Sequence, residues 1–328
     1  MNVSTYGWLA LFGFVAAMLI LDLFLHRGHQ EIKFKEAAIW SAIWVACGIA
    51  VGGVIWFYSG TDFALQYYSG YLIEKSLAID NVFVWGLLFS ALAVPTRFQH
   101  RVLFLGVLGA LVMRGIMILM GAALIKEAAW TLYIFGAFLI FTAIKLVIET
   151  FHEGEEDRNE AGGMTKLISK LIPTTTEYHD NRYRIKQHGK WVYTPLLLVM
   201  LSIGFTDLLF ALDSIPAVYG LTNEPYIVFV ANAFALLGLR QLYFLLGGLM
   251  ERLKYLSIGL SIILAWIGVK LVVHALHKNE LPFINGGQHV EVIPEISTEL
   301  SLAVIIITLV ITTIWSLAVT GREAKKKA

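Results

Sequence analysis

Nine stretches of mostly apolar residues, each about as long as a bilayer is thick, follow one another along this 328-residue chain. A spanning helix needs roughly 20 such residues. The stretches fall at 6–25, 37–57, 67–93, 102–125, 129–149, 195–219, 226–248, 254–276 and 298–319. Lipid offers backbone N–H and C=O groups no partner, so a segment of this kind satisfies them internally, as a helix. The fold class is therefore an all-α membrane protein of about nine transmembrane helices. Composition agrees: 58% of residues are hydrophobic and 15% charged, against about 45–50% and about 25% in soluble domains. A single cysteine, Cys47, lies inside an apolar stretch, which leaves no disulfide framework and no thiolate metal site. The opening MNVSTYGWLALFG lacks a basic n-region and a small-residue cleavage pattern, so its apolar run is read as a retained span.

Lys and Arg sort the connections by side. With the N-terminus outside, eighteen of the 25 basic residues fall in inner connections and only Lys126 and Lys278 in outer ones. The other five, Lys75, Arg114, Lys145, Arg240 and Lys270, lie within spans. This predicts a cytoplasmic C-terminus. One inner connection, 150–194, is long. It carries an acidic run, a short amphipathic stretch (MTKLISKLI), and RYRIKQHGKWVYTP, whose alternation around His-Gly predicts a small β-hairpin. His274 and His277 stand three apart near an outer end, a spacing more often interfacial than metal-binding.

Self-similarity divides the chain further. LIEKSLAIDNVFV in the third span resembles FTDLLFALDSIPAV in the sixth, each with two acids six residues apart and an Ala two before the second. GALVMRGIMILMG aligns with ALLGLRQLYFLLG, placing Arg114 on Arg240. FLIFTAIKLVI aligns with IILAWIGVKLVV, placing Lys145 on Lys270. Residues 67–149 and 195–276 thus read as two copies of one three-helix unit, entering the membrane from opposite sides. Inverted repeats recur in secondary transporters, whose substrate sites lie near the midplane where the repeats meet.

The paired motifs place Glu74, Asp80, Asp207 and Asp213 within spans. Each carboxylate costs roughly 2.5–3.5 kcal/mol at a span centre, so the four need partners or water. One reading is internal pairing with Arg114 and Arg240, locking the repeats together, while Lys145 and Lys270 snorkel to the interfaces. Two arginines are few for four acids. The other reading is a cation site. Acids six residues apart on a straight helix point about 120° apart, so aiming both at one ion requires a bend, for which Pro216 and Gly204 offer means. Asn81, Ser76, Thr206 and Ser214 add neutral oxygens, and Asp22 in the first span is a further acid on the route. With no Cys or His in the motifs, the donor set is hard oxygen, which suits Mn²⁺, Mg²⁺ or Ca²⁺.

At GYLIEKSLAIDNVFVW and FTDLLFALDSIPA, and along ILDLFLH and YIFGAF, the sequence resembles the TerC family, with its Alx-type manganese exporters, in the wider LysE-type transporter group. The resemblance runs along nearly the whole chain. It implies a multi-pass protein of the cell inner membrane that exports Mn²⁺, with ties to tellurite resistance, and assigns the metal to Glu74, Asp80, Asp207 and Asp213. Some relatives carry a glutamate where this chain has Gly204, which puts the number of ligands in question. The expected function is a Mn²⁺ exporter exchanging the ion for protons, with no further cofactor and no nucleic-acid partner. The alternative is a membrane interaction protein assisting secretion or metallation of exported proteins, docking partners through 150–194. No nucleophile–base arrangement, nucleotide motif or redox ligand set points to an enzyme.

Overall fold

The computed structural model describes residues 3–25, 34–92, 94–127, 130–151, 175, 182–187, 190–246, 256–279, 281–290 and 292–327. They form α1 (Thr5–Leu25), α2 (Phe34–Ser59), α3 (Thr61–Ala91), α4 (Thr96–Glu127), α5 (Thr131–Phe151), α6 (Pro195–Tyr219), α7 (Pro225–Leu236), α8 (Leu239–Leu246), α9 (Leu256–His277) and α10 (Thr298–Lys327). Between α5 and α6, β1 (Arg184–Gln187) pairs antiparallel with β2 (Lys190–Tyr193), with Ile185 opposite Val192. This is the expected hairpin; its His188–Gly189 turn lies outside the described residues, as do MTKLISKLI and nearly all of the acidic run.

Eight helical segments of the described residues are long and apolar enough to cross a membrane, one of them running through α7 and α8. The ninth expected span is α3. It is 31 residues long and carries Asp62, Glu74, Lys75 and Asp80. Its packing explains how it tolerates them: α2, α6, α7, α8 and α10 surround it. Glu74 is buried and Lys75 half-buried against them, whereas Asp62, at the start of the helix, is exposed.

Helix position follows composition. α1, α2 and α10 turn exposed Phe, Leu, Ile and Trp side chains outward, among them Phe12, Trp56 and Trp315, as lipid-facing helices do. α7, apolar all round, has every residue from Ile227 to Leu236 buried. Pro195 and Pro225 open α6 and α7 in the first turn, where the missing N–H is no loss. The sixth span is not unwound: α6 runs unbroken from Pro195 to Tyr219, with Pro216 in its last turn. The interruption lies in the seventh span. There α7 ends in an extended Leu237 (ψ 132°), and Gly238 at φ +82° turns the chain into α8.

α5 and α9 cross with their backbones close together. A Cβ on Gly136 would stand 2.8 Å from the Gly268 carbonyl oxygen, and one on Gly268 would stand 2.9 Å from the Gly136 oxygen. Small residues allow such backbone approach. Gly136→Val is expected to force the helices apart at a cost of about 1–3 kcal/mol, measured as a lower midpoint of heat-induced loss of the monodisperse peak in detergent. An unchanged midpoint would show that the crossing does not bear on stability.

Candidate functional site

Arg114 on α4 is 1% exposed and gathers the two motifs around itself. Its Nε and Nη2 donate to the two oxygens of Asp207 on α6 at 3.2 and 3.0 Å, a bidentate pair. Its Nη1 donates to Glu74 Oε2 on α3 at 2.8 Å and to Ser214 Oγ at 3.2 Å. The Asn81 amide, with its oxygen toward the donor, accepts from Nη2 at 3.1 Å and gives its own N–H to the Leu77 carbonyl at 3.1 Å. A guanidinium has five N–H donors in a fixed fork, and here all five are used. Glu74 and Asp207 are 2% and 1% exposed, so neither draws on water. With both ionised, the cluster holds two negative charges against one positive. Glu74 Oε1 is buried and has no partner.

The other expected site residues do not all arrive there. Asp213, half-buried, accepts from Thr142 Oγ1 on α5 at 3.0 Å. The unbroken helix explains this: six residues on from Asp207, the side chain leaves on another face and meets another neighbour. Thr206 and Ser76 turn their hydroxyls back to the Ser202 and Leu72 carbonyls, the local bond typical of such residues within helices. The Asp80 side chain lies outside the described residues. Among the described residues no three His, Cys, Asp or Glu side chains stand together as a metal cage.

Arg240, which the repeat places on Arg114, has a different partner. Its Nη2 donates to Asp22 Oδ1 and to the Asp22 carbonyl, at 2.8 and 3.0 Å, and Gln241 Nε2 donates to the same carboxylate at 2.5 Å. Asp22 thus ties α1 to α8, beside a water-sized void of about 10 Å³ lined by Leu236 to Arg240.

Lys75, which the sequence analysis left among the in-span charges without a role, has a structural one. Its Nζ donates to the Ala235 and Leu237 carbonyls at 3.1 and 3.3 Å, where α7 breaks off. Helix ends leave carbonyls unpaired and carry partial negative charge. An ammonium placed there answers both. The sequence signal was Gly238 between two apolar runs, followed by Arg240, on the far side of the fold from Lys75 in chain order.

Lys270 does not snorkel. It is 9% exposed, with its Nζ 3.3 Å from Ser301 Oγ on α10. The two interfacial histidines part company: His274 Nδ1 meets Glu295 at 3.2 Å, whereas His277 Nδ1 meets the Val273 carbonyl.

Residues 59–324 match the family described as integral membrane protein TerC family. The chain belongs to the TerC family. Among its relatives, an uncharacterized membrane protein of Myxococcus xanthus, STKORF319, is 44% identical over 267 residues, covering 81% of this chain and 83% of that protein. The uncharacterized membrane protein Rv2723 of Mycobacterium tuberculosis is 40% identical over 333 residues, covering 100% and 84%. A protein of Escherichia coli strain K12, provisionally named membrane-bound redox modulator Alx, is 43% identical over 269 residues, covering 79% and 83%. No solved structure matches the chain. TerC family membership and the helices together make this an all-α, multi-pass integral membrane protein.

Proposed function

We propose that this TerC family protein is a secondary transporter that exports a hard divalent cation, Mn²⁺ foremost, from the cytoplasm in exchange for protons. One observation carries the reading. Glu74 of α3 and Asp207 of α6, equivalent positions of the two sequence repeats, converge on the buried Arg114 and leave one carboxylate oxygen unpartnered. Oxygens of Glu74, Asp207, Ser214 and Asn81 surround the guanidinium there. That is the donor set a hard cation takes.

The pairing of helices supports a two-unit design. Exchanging α3 with α6, α4 with α7 and α5 with α9 turns the α3–α7 contact into α6–α4, also observed, and returns α5–α9 to itself. Transporters of inverted repeats bind at such an interface and alternate access around it. In the present arrangement Arg114 occupies the centre of the oxygens. Loading the ion then requires the arginine to yield some of its five bonds, and protons to leave the acids as metal arrives. Asp213 and Asp80, one and a half turns beyond the cluster in each motif, are the next acids along the path.

The test is Mn²⁺ movement in proteoliposomes. Native protein is expected to move Mn²⁺, and Glu74→Gln and Asp207→Asn to reduce the rate by about 10²-fold or more, the loss of a charged ligand in an anhydrous site. Collapse of an imposed pH gradient is expected to slow the native rate. Native-like rates in both variants would remove the carboxylates from the path.

The saturated guanidinium favours a second reading, in which the acids are scaffold and the protein assists exported proteins through 150–194. Deleting the hairpin 184–193 separates the two: lost partner phenotype with intact Mn²⁺ flux supports the scaffold. The redox name of the Escherichia coli relative fits the transporter reading as an indirect effect, since Mn²⁺ is itself redox-active. This chain, with one cysteine, cannot form an intramolecular dithiol couple.

A further inference from the structure

The β-hairpin stands at the foot of α6, with one residue, Thr194, between the end of β2 and Pro195. Its level in the membrane follows from that. α6 has 25 residues and, at 1.5 Å per residue, is about 38 Å long, several ångströms more than the roughly 30 Å hydrocarbon core. The start of α6, and with it the base of the hairpin, therefore falls among the lipid headgroups. The Lys and Arg distribution assigns this end to the cytoplasm. We propose that the open face of the hairpin is a docking surface for anionic phospholipid headgroups of the cytoplasmic leaflet.

The register sorts the hairpin's side chains into two faces. Arg184 stands opposite Tyr193 and Lys186 opposite Trp191 on one of them, while Ile185 and Val192 share the other. The first face is open: all four of its side chains are exposed, Trp191 at 58%. Charge and ring are joined there, with the Arg184 guanidinium 4.8 Å from the Trp191 ring centre. Among the described residues, no carboxylate comes within ion-pair distance of Arg184 or Lys186.

The hairpin is held in place from its other end. Tyr183, just before β1, packs against the helical core and lies under the Arg101 guanidinium of α4 at 5.3 Å. The Thr194 amide and hydroxyl donate to the Tyr183 and Arg182 carbonyls at 3.0 and 2.6 Å. A solvated turn accounts for two cations but not for two large rings kept out of the core. Headgroups account for both. Trp and Tyr settle at the level where apolar chains meet polar heads, and each basic group near an anionic leaflet adds attraction.

Trp191 can report its own surroundings. Full-length protein is reconstituted in nanodiscs of phosphatidylcholine with a minor share of phosphatidylglycerol, bromine being carried on the acyl chains of one lipid or the other. The fluorescence of the native chain minus that of Trp191→Phe isolates this residue among the nine tryptophans. Per mole of lipid, bromine on phosphatidylglycerol is expected to quench this difference at least about twofold more than bromine on phosphatidylcholine, because the basic groups gather anionic lipid. The excess is expected to vanish in the double variant Arg184→Gln, Lys186→Gln and at about 0.5 M salt. Both changes fall on exposed side chains, where the fold tolerates them. Equal quenching by the two lipids, or an excess that survives the loss of both charges, overturns the anionic preference. No quenching by either lipid would show that the face looks into water, open to a protein partner instead, and would overturn the proposal.

Discussion

Replacing Arg114 by leucine is expected to leave little folded protein, with a loss of about 3–5 kcal/mol, the range for breaking a buried ion pair by removing one partner. The reason is arithmetic at the atomic level. All five N–H groups of Arg114 are spent on Glu74, Asp207, Ser214 and Asn81. Leucine fills much of the volume but leaves two carboxylates in a space from which water is excluded. Arg114→Lys keeps the charge yet cannot fork onto Asp207, so it is expected to fall between. Removing the acids together with the arginine, as Glu74→Gln, Asp207→Asn and Arg114→Leu combined, is expected to recover most of the folded yield, because the unpaired charge has gone. A further arm addresses function. If the guanidinium stands where a cation is bound, Mn²⁺ supplied during extraction raises the folded yield of Arg114→Ala more than that of the native chain, through binding to the folded state alone. Equal response to Mn²⁺ would mean that the oxygens around Arg114 do not take the ion. An Arg114→Leu protein as heat-stable as the native one would show that the acids are not held by this residue.

Much of this centre was legible before any coordinates. Glu74 and Asp207 occupy the same place in two similar motifs, and a charge inside a span must find a partner, so pairing with a mid-span arginine was one of the two readings the sequence offered; that a single arginine takes both acids was not legible. Nor was it legible whether the two arginines would act alike. Arg114 and Arg240 align, yet one bridges the motifs and the other holds Asp22 of α1, because the first span belongs to neither repeat and packs on one side only. The sixth span stays unbroken at Pro216 for a local reason. A proline three residues from a helix end breaks a single late hydrogen bond, and the last turn absorbs it. In a continuous helix Asp213 keeps its own azimuth and goes to Thr142. The hairpin was readable from alternation alone, since its pairing is local. The interruption at Gly238 was hidden, because a glycine among leucines reads equally well as a close-packing position. What decides it is a tertiary fact: the side chain of Trp44 on α2 occupies the space where a Cβ would stand, at 2.8 Å.

That interruption sets the second large effect. Gly238→Val is expected to destabilise the protein by about 2–5 kcal/mol, combining the strain of a β-branched residue at positive φ with a collision against Trp44 in a packed interior. The break falls inside a segment, Pro225–Leu245, long and apolar enough to cross a membrane, where unpaired carbonyls are tolerated only when protein satisfies them. Lys75 does so for Ala235 and Leu237. Lys75→Met, which keeps the length of the side chain and deletes the ammonium, is therefore expected to cost about 1.5–3 kcal/mol, the worth of hydrogen bonds from a charged donor. The two changes act on one element, so their effects are expected to be less than additive when combined. Thermal unfolding of the two single variants and the double variant in detergent gives all three numbers. Strict additivity would separate Lys75 from the break. Coupling would identify the ammonium as the group that holds α7 and α8 apart, and would make this pair the place to look for slowed Mn²⁺ flux in variants whose carboxylates are intact.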